Sequence, residues 1–482
     1  MQNGVINTLT YQDFINATDR IAFISQAIEA HRRSDAFRTA VDAELYEKQQ
    51  NSTINAVTRT IYTAAGIPIE DPTSSNNKIA SNFFHRLNTQ RVAYLLGNGV
   101  SFTDHVRKVR NPDGTVATFD ETKETFGNDF DTVLYSICYS GEISGSSYGY
   151  ITDAGNGKYN LHLFKLTEFV PLLDEYDRSL RAGIRFWSLE WGKRPVMVEL
   201  YEEDGITEYR TKEGKTGLDI EESAAKRPYN VITRTTPASG TEIIGGENPF
   251  SRLPIIPYYA QNQQSTLVGL KSAIDAYDLI QSGFANDLQD CAQIYWLIGG
   301  ALGTTDATAK KFRETLMFQH IGVVDTDNST VTPYTQEVPY EARKVFLDNL
   351  RANIYEAFGG FDIRQVVSGD RTATEIEASY NAMDEEADAF ETRVTRFIRQ
   401  VLALVGIEDM PEYKRNRIAN QLEQTQMIVM AAEYLSTRAV LEKLPWVTVD
   451  EVDAILAEKS GEIDELAVDA DTKDVNEVGE PL

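Results

Sequence analysis

The longest series of acidic side chains uninterrupted by a base lies between Glu375 and Glu391. There Glu375, Glu377, Asp384, Glu385, Glu386, Asp388 and Glu391 occur with no lysine or arginine among them. Such carboxylates hold Mg²⁺ or Ca²⁺ only when they converge on one point, and Asp384, Glu385 and Glu386 are consecutive, so on a helix they diverge. The run therefore reads as a solvated or channel-lining wall that repels anions, with Glu375, Glu377, Asp384, Glu385 and Asp388 as its candidate channel-facing acids. Just before it stands the glycine-bounded stretch Gly360-Phe-Asp-Ile-Arg-Gln-Val-Val-Ser-Gly-Asp-Arg371. Its polar and aromatic members Phe361, Asp362, Arg364, Gln365, Ser368, Asp370 and Arg371 are the candidate contact residues. Arg364 and Arg371 suit transient phosphate contact, and equally suit pairing with Asp362, Asp370 or a neighbouring chain.

Other chemistry is thinly represented. Gly145-Ser-Ser-Tyr-Gly149 fits the G-x-S-x-G pattern that, between a strand and a helix, exposes a serine nucleophile. Here a helix precedes it and alternating strand residues follow, so a serine hydrolase using Ser147 is only the alternative reading. The five histidines, at 31, 85, 105, 162 and 320, are scattered, and no G-x-x-x-x-G-K-[ST] phosphate loop occurs. No catalytic residue, metal site or cofactor is expected.

The elements that must position the loop are helices. Leu347, Leu350, Ile354 and Phe358 share one face of a helix over 340–358, which Gly359-Gly360 stops. Thr372, with Glu375 three residues on, opens the next helix as a capping box. Along it Ile376, Tyr380, Met383, Ala387, Phe390, Val394, Phe397 and Val401 form one apolar seam, to about Val405. A second long helix over 265–292 carries Leu267, Leu270, Ile274, Tyr277, Phe284, Leu288 and Cys291 at heptad-like spacing. Between it and the 340–358 helix lies a small α/β unit, with strands near 294–298, 321–325 and 331–334 and a helix over 307–317. Upstream, residues 10–62 read as helical, 78–96 as one amphipathic helix and 129–141 as another. Strands are expected at 148–152, 161–166, 184–191, 196–201 and 207–211, joined by glycine turns. Downstream come helices at 418–436 and from 449, then an acidic tail from Ile463 with too little apolar content to fold. The fold class is α+β, mostly helical.

The chain has 482 residues, 42% hydrophobic and 25% charged, the balance of an ordinary folded protein of several domains. Its 73 acids against 46 bases give a net charge of −27, which argues against tight binding to nucleic acid by phosphate neutralisation. Cys138 and Cys291 stand alone, as in a reducing compartment. The N-terminus lacks the regions of a signal peptide, and no apolar run spans a bilayer, so a soluble, intracellular product is expected.

In order along the chain, several stretches resemble the SPP1-type portal proteins of tailed bacteriophages. They are Lys78-Ile-Ala-Ser-Asn-Phe-Phe with Tyr94-Leu-Leu-Gly-Asn98, Leu253-Pro-Ile-Ile-Pro-Tyr-Tyr259, Lys271-Ser-Ala-Ile-Asp-Ala-Tyr-Asp278 with Ser282-Gly-Phe-Ala-Asn286, Phe358-Gly-Gly-Phe-Asp362, Thr372-Ala-Thr-Glu-Ile376 and Ser436-Thr-Arg-Ala-Val-Leu-Glu-Lys-Leu-Pro-Trp446. The inserted Ser368-Gly-Asp-Arg-Thr departs from the family's usual loop. The resemblance implies a portal-like fold with a wing (1–264), a stem helix (265–293), a small α/β clip (294–338), a second stem helix (339–358), a tunnel loop (359–371), a tunnel helix of the wing (372–405) and a helical crown with the acidic tail (406–482). It implies a homo-oligomeric ring, typically a dodecamer, assembled in the host cytoplasm and placed at one capsid vertex of the virion. Double-stranded DNA would pass through it during packaging and ejection. Implied partners are the terminase, major capsid and scaffold proteins and a head-completion adaptor, with no membrane. A different capsid or scaffold protein is a further alternative.

Overall fold

The computed structural model describes residues 9–62, 67–70, 74–110, 116–188, 196–236, 240–291, 295–299, 321–324, 331–334, 340–362, 364, 373–416, 436–444 and a few single residues beyond 416. Eleven helices are described: α1 (Tyr11–Asn16), α2 (Arg20–Arg33), α3 (Asp35–Glu47), α4 (Ser52–Asn55), α5 (Phe83–Leu96), α6 (Glu121–Phe126), α7 (Phe130–Ser144), α8 (Leu267–Cys291), α9 (Tyr340–Phe358), α10 (Ala373–Val405) and α11 (Thr437–Lys443). The fold is mixed α+β. An antiparallel five-stranded sheet runs in the order 220–227, 205–211, 196–202, 180–188, 169–173. A three-stranded sheet places Ser146–Gly155 between Ile255–Tyr259 and Lys158–Lys165. In a third sheet, Tyr295–Gly299 runs parallel to Ile321–Val324 and antiparallel to Val331–Tyr334.

α10 is 33 residues long, about 50 Å at 1.5 Å per residue. Its seam is the spine of the main core. Phe390, Val394, Phe397 and Val401 are fully buried against α7 and the three-stranded sheet, joined by Ile398 and Leu402. Each buried phenylalanine contributes about 1.5–3 kcal/mol. Gly141 on α7 lets this packing close: a Cβ there would lie 2.2 Å from the Tyr258 ring. Elsewhere Phe23, Ile24 and Ile28 of α2 cover the five-stranded sheet, and α3, α5, α8 and α9 enclose Leu267, Leu270, Ile274, Ile354 and Phe358.

Several expectations are corrected. The helix anticipated over 78–96 begins only at Phe83, because 77–81 runs extended along α8 and spends its backbone donors there. Asn77, Ile79 and Ser81 N–H groups donate to Asn286 Oδ1 (2.6 Å), Ser282 Oγ (2.9 Å) and Asp278 Oδ1 (2.9 Å). Two residues of extended chain match one helical turn, so acceptors four apart meet alternate N–H groups. Asp278 is therefore buried, and burial raises its pKa against the hydrogen bonds from Ser81 and Asn51. The heptad-like seam of α8 holds only near its start, since Leu288 is 55% exposed. Strands at 60–62 (within the stretch expected to be helical), 68–70, 100–102, 106–110, 116–120, 169–173, 220–227, 230–236, 240–247 and 411–413 lie beyond the expected ones and make the fold less helical than expected. The helices expected at 307–317, at 418–436 and from 449 fall wholly or mostly outside the described residues, as does the acidic tail.

Candidate functional site

The loop after α9 is held at its base by three interlocking devices. First, α9 ends as its sequence demands. Gly359 has φ +68°, its N–H donates to Glu356 O (3.1 Å), and Gly360 N–H donates to Tyr355 O (2.8 Å), the paired bonds that close a helix on a left-handed glycine.

Second, Phe361 turns inward. Its ring stacks on Tyr380 of α10 (4.7 Å, 12°), and Tyr380 stacks on Tyr94 of α5 (6.3 Å, 16°). Gln90 of α5 grips the same residue by both backbone groups, accepting from Phe361 N–H and donating to Phe361 O, each at 3.1 Å.

Third, Asp362 is buried and takes a two-pronged ion pair from Arg351 of α9 (Nε 2.8 Å, Nη2 2.7 Å), while Arg364 N–H donates to its Oδ1 (3.1 Å). Burial alone would raise the Asp362 pKa. The Arg351 guanidinium and the Arg364 N–H outweigh it and hold the carboxyl below its ordinary value.

The acids of α10 are not a bare wall within one chain. Asp384 accepts from Tyr94 Oη (2.7 Å) and Arg415 (3.1 Å), and Arg415 also binds Glu391 (3.1 Å) and Asp388. Arg415 reaches them because Pro411–Tyr413 pairs with Val100–Phe102, turning the chain back beside α10. Glu386 pairs with Arg91 of α5 (3.0 Å), whose guanidinium lies over Phe358 (4.0 Å) and donates to Phe358 O (2.9 Å) and to Glu142 (3.3 Å). Fully buried Glu142 also accepts from Arg393 of α10 (3.2 Å) and Tyr258 Oη (2.7 Å). Two arginines and two glutamates thus join α5, α7, α9 and α10 in a charge-balanced network.

Of the residues singled out from the sequence, Phe361 and Asp362 are anchors of the loop base, while Arg364, Glu385 and Asp388 are exposed. Gln365, Ser368, Asp370, Arg371 and the Thr372 cap lie outside the described residues, as do the side chains of Glu375 and Glu377. Sequence reasoning missed Arg351, Arg91, Tyr94, Gln90 and Arg415. Arg351 alone left a signal, its position on the helix that leads directly into the loop.

Ser147 has no nucleophile's geometry. It is fully buried at the start of the strand Ser146–Gly155, and its Oγ donates to Ile137 O (2.6 Å). His162 sits on the neighbouring strand, opposite Tyr150 and hydrogen-bonded to Thr152 Oγ1 (3.0 Å).

Comparison with known proteins gives a consistent picture. The family described as "Phage portal protein, SPP1 Gp6-like" matches residues 26–465. The portal protein of Clostridium phage phiCD119 is 22% identical over 409 residues, 80% of this chain and 85% of that protein. That of Bacillus phage SPP1 is 24% identical over 391 residues, 77% of this chain and 73% of that protein. Among solved structures, a chain of the "Neck of native GTA particle computed with C12 symmetry" aligns over 81% of this chain and 96% of its own length. Its sequence identity is 12% and its TM-score 0.35, a likeness too distant to carry an argument.

Proposed function

The chain belongs to the SPP1 Gp6-like phage portal protein family, and from that premise we infer that its copies close into a ring whose axial channel passes double-stranded DNA. As a portal protein it is a component of the phage virion, and its role is structural rather than enzymatic. In this reading residues 1–264 with α10 form the wing, α8 and α9 the stem, 294–338 the clip, and 406–482 the crown. The 359–371 loop leads toward the bore. Terminase and head-completion proteins dock at the clip, and major capsid and scaffold proteins are further partners.

The observation that carries the ring is the unfinished packing of α8 and α9. The two helices run together, with Phe284 and Tyr340 rings 5.8 Å apart and Arg343 paired to Asp287. Yet Leu279 (41%), Leu288 (55%), Val345 (57%) and Phe346 (49%) remain exposed on them. Large apolar side chains left open on two adjacent helices suit the contact of one subunit with the next.

The acid-rich first half of α10 then faces a polyanion it does not bind. Arg415 and Arg91 offset part of its charge, and exposed Glu385 and Asp388 keep the surface repulsive to phosphate, so DNA slides without being trapped by counterion release. Deleting residues 365–371 tests the loop. Rings should persist while DNA packaging in an infection or packaging extract falls sharply, and wild-type packaging by the deletion variant would refute the assignment.

A further inference from the structure

We propose that the free edge of the strand Lys158–Lys165 docks an extended, acid-bearing segment of a second copy of this chain, which adds to the three-stranded sheet as a fourth strand. The proposal rests on the ring reading for its source of second copies.

The direction of the backbone groups follows from the pairing. Ile151 N–H donates to Pro254 O (2.9 Å), so the odd-numbered residues of the central strand face the 255–259 strand. Tyr148, Tyr150 and Thr152 must then face the other way, exchanging bonds with Phe164, His162 and Asn160. The N–H and C=O groups of Tyr159, Leu161 and Leu163 consequently point outward, away from the sheet. Among the described residues no hydrogen bond reaches them, whereas the next outward N–H, that of Lys165, is already taken by Glu168 (3.2 Å). The opposite edge of the sheet obeys the same geometry: Pro257 pairs with Tyr148 at a position where the missing N–H would face outward.

The edge is not flush with the surface. It lies along a groove of roughly 680 Å³ to which both faces of the strand contribute, Leu161 and Leu163 from one and His162 and Phe164 from the other, the latter continued by Tyr150 and Thr152 of the central strand. Ser136 of α7 forms one bank, and Arg185 and Arg227 from the five-stranded sheet form part of the other. A groove lined by residues from both faces of an edge strand passes that strand's open edge, which gives an extended segment access to it.

Arg227 is already paired to Glu208 (3.0 Å) and Glu199 lines the groove beside Arg185, so it is Lys158 and Lys165 that leave the site net basic and select an acid-bearing occupant. Arg185 Nε is buried without a hydrogen-bond partner, and its carboxylate neighbour Glu199 stands 3.9 Å away. Lys158 and Lys165 flank the open stretch, where edge lysines also discourage indiscriminate pairing. A chain of net charge −27 offers acidic segments in abundance, and ring closure would bring a second copy close enough to supply one.

Residue-resolved hydrogen exchange on the assembled full-length protein tests this without needing a monomer, because the strand carries its own control. The inward amides of His162 and Phe164 should be slow in any folded state. If the groove is filled, the outward amides of Leu161 and Leu163 should exchange within about tenfold of them. If it is empty, these amides should exchange at least about a hundredfold faster, which would overturn the proposal. A second variant guards against coincidental protection. Leu163→Pro removes one outward N–H at a position of the kind Pro257 already occupies, so the chain should fold, while ring assembly should require about tenfold more protein. Unchanged assembly by this variant would also count against the docked strand. A protein that stays monomeric would overturn both this proposal and the ring reading, whereas rings with fast Leu161 and Leu163 amides would overturn this one alone.

Discussion

Replacing Arg351 by methionine should loosen the base of the loop without unfolding the body. The Asp362 side chain is only 6% exposed and Arg351 only 12%, so the substitution leaves a nearly buried carboxylate facing an apolar side chain. Removing one partner of a buried ion pair costs about 3–5 kcal/mol. The Arg364 N–H still donates to Asp362, so the lower end applies, about 3 kcal/mol, or roughly a hundredfold in a local opening constant. The assay is hydrogen exchange at Phe361 and Arg364, whose amides bond to Gln90 and Asp362 and report opening of the base directly. Arg351→Met should accelerate both by about two orders of magnitude, with α10 core amides unaffected. The double variant Arg351→Met/Asp362→Leu should recover most of the loss, since removing both partners strands no charge. Acceleration below about threefold in the single variant, or a double variant no slower than the single, would refute the idea that this pair sets the departure of the loop.

Three further outcomes follow from the same contacts. Asp278→Ala strands the Ser81 N–H and the Asn51 side-chain amide, so segment 77–81 should open with a loss of about 2–3 kcal/mol, seen as faster proteolysis there; unchanged cleavage would contradict the polar zipper along α8. Arg415→Ala leaves Asp384, Asp388 and Glu391 to repel one another, and because Asp388 is exposed the destabilisation, about 1–2 kcal/mol in dilute buffer, should shrink in 1 M salt; a salt-independent loss would point to packing instead. Asp362 and Asp409 both have folded pKa values held below the ordinary carboxylate value: burial opposes this in each, and hydrogen bonds from Arg351 and Arg364, and from Thr122 and His105, overcome it. Their contribution is fully present above about pH 4 and is lost as pH falls through the folded values, so an acid titration should open the loop base in the wild type but change Asp362→Asn little.

What the sequence disclosed, and what it withheld, divides along the range of the interactions. α9 ends at Phe358 as read, because Gly359-Gly360 decides that locally, and α10 shows its seam because one helix face governs every third or fourth residue. Asp278, Ser282 and Asn286 recur every four residues, yet nothing in α8 says that residues 77–81, some two hundred positions earlier, supply their donors. The acids of α10 read as unopposed because Arg415 and Arg91 arrive from other elements, through a short strand pairing and a helix packing that leave no local trace. The strand Ile220–Arg227 escaped notice because its Ser-Ala-Ala-Lys centre lacks β-branched residues and is exposed. Phe361 and Asp362 read as contact residues of the loop by position, and their burial became evident only with Tyr380 and Arg351 beside them.

Electron microscopy of the purified full-length protein, with residues 365–371 marked by an inserted tag, tests the central claim most directly. The account predicts closed rings with a central hole and the tag density at the inner rim. A uniformly monomeric protein at high concentration, or rings carrying the tag on their outer perimeter, would contradict it.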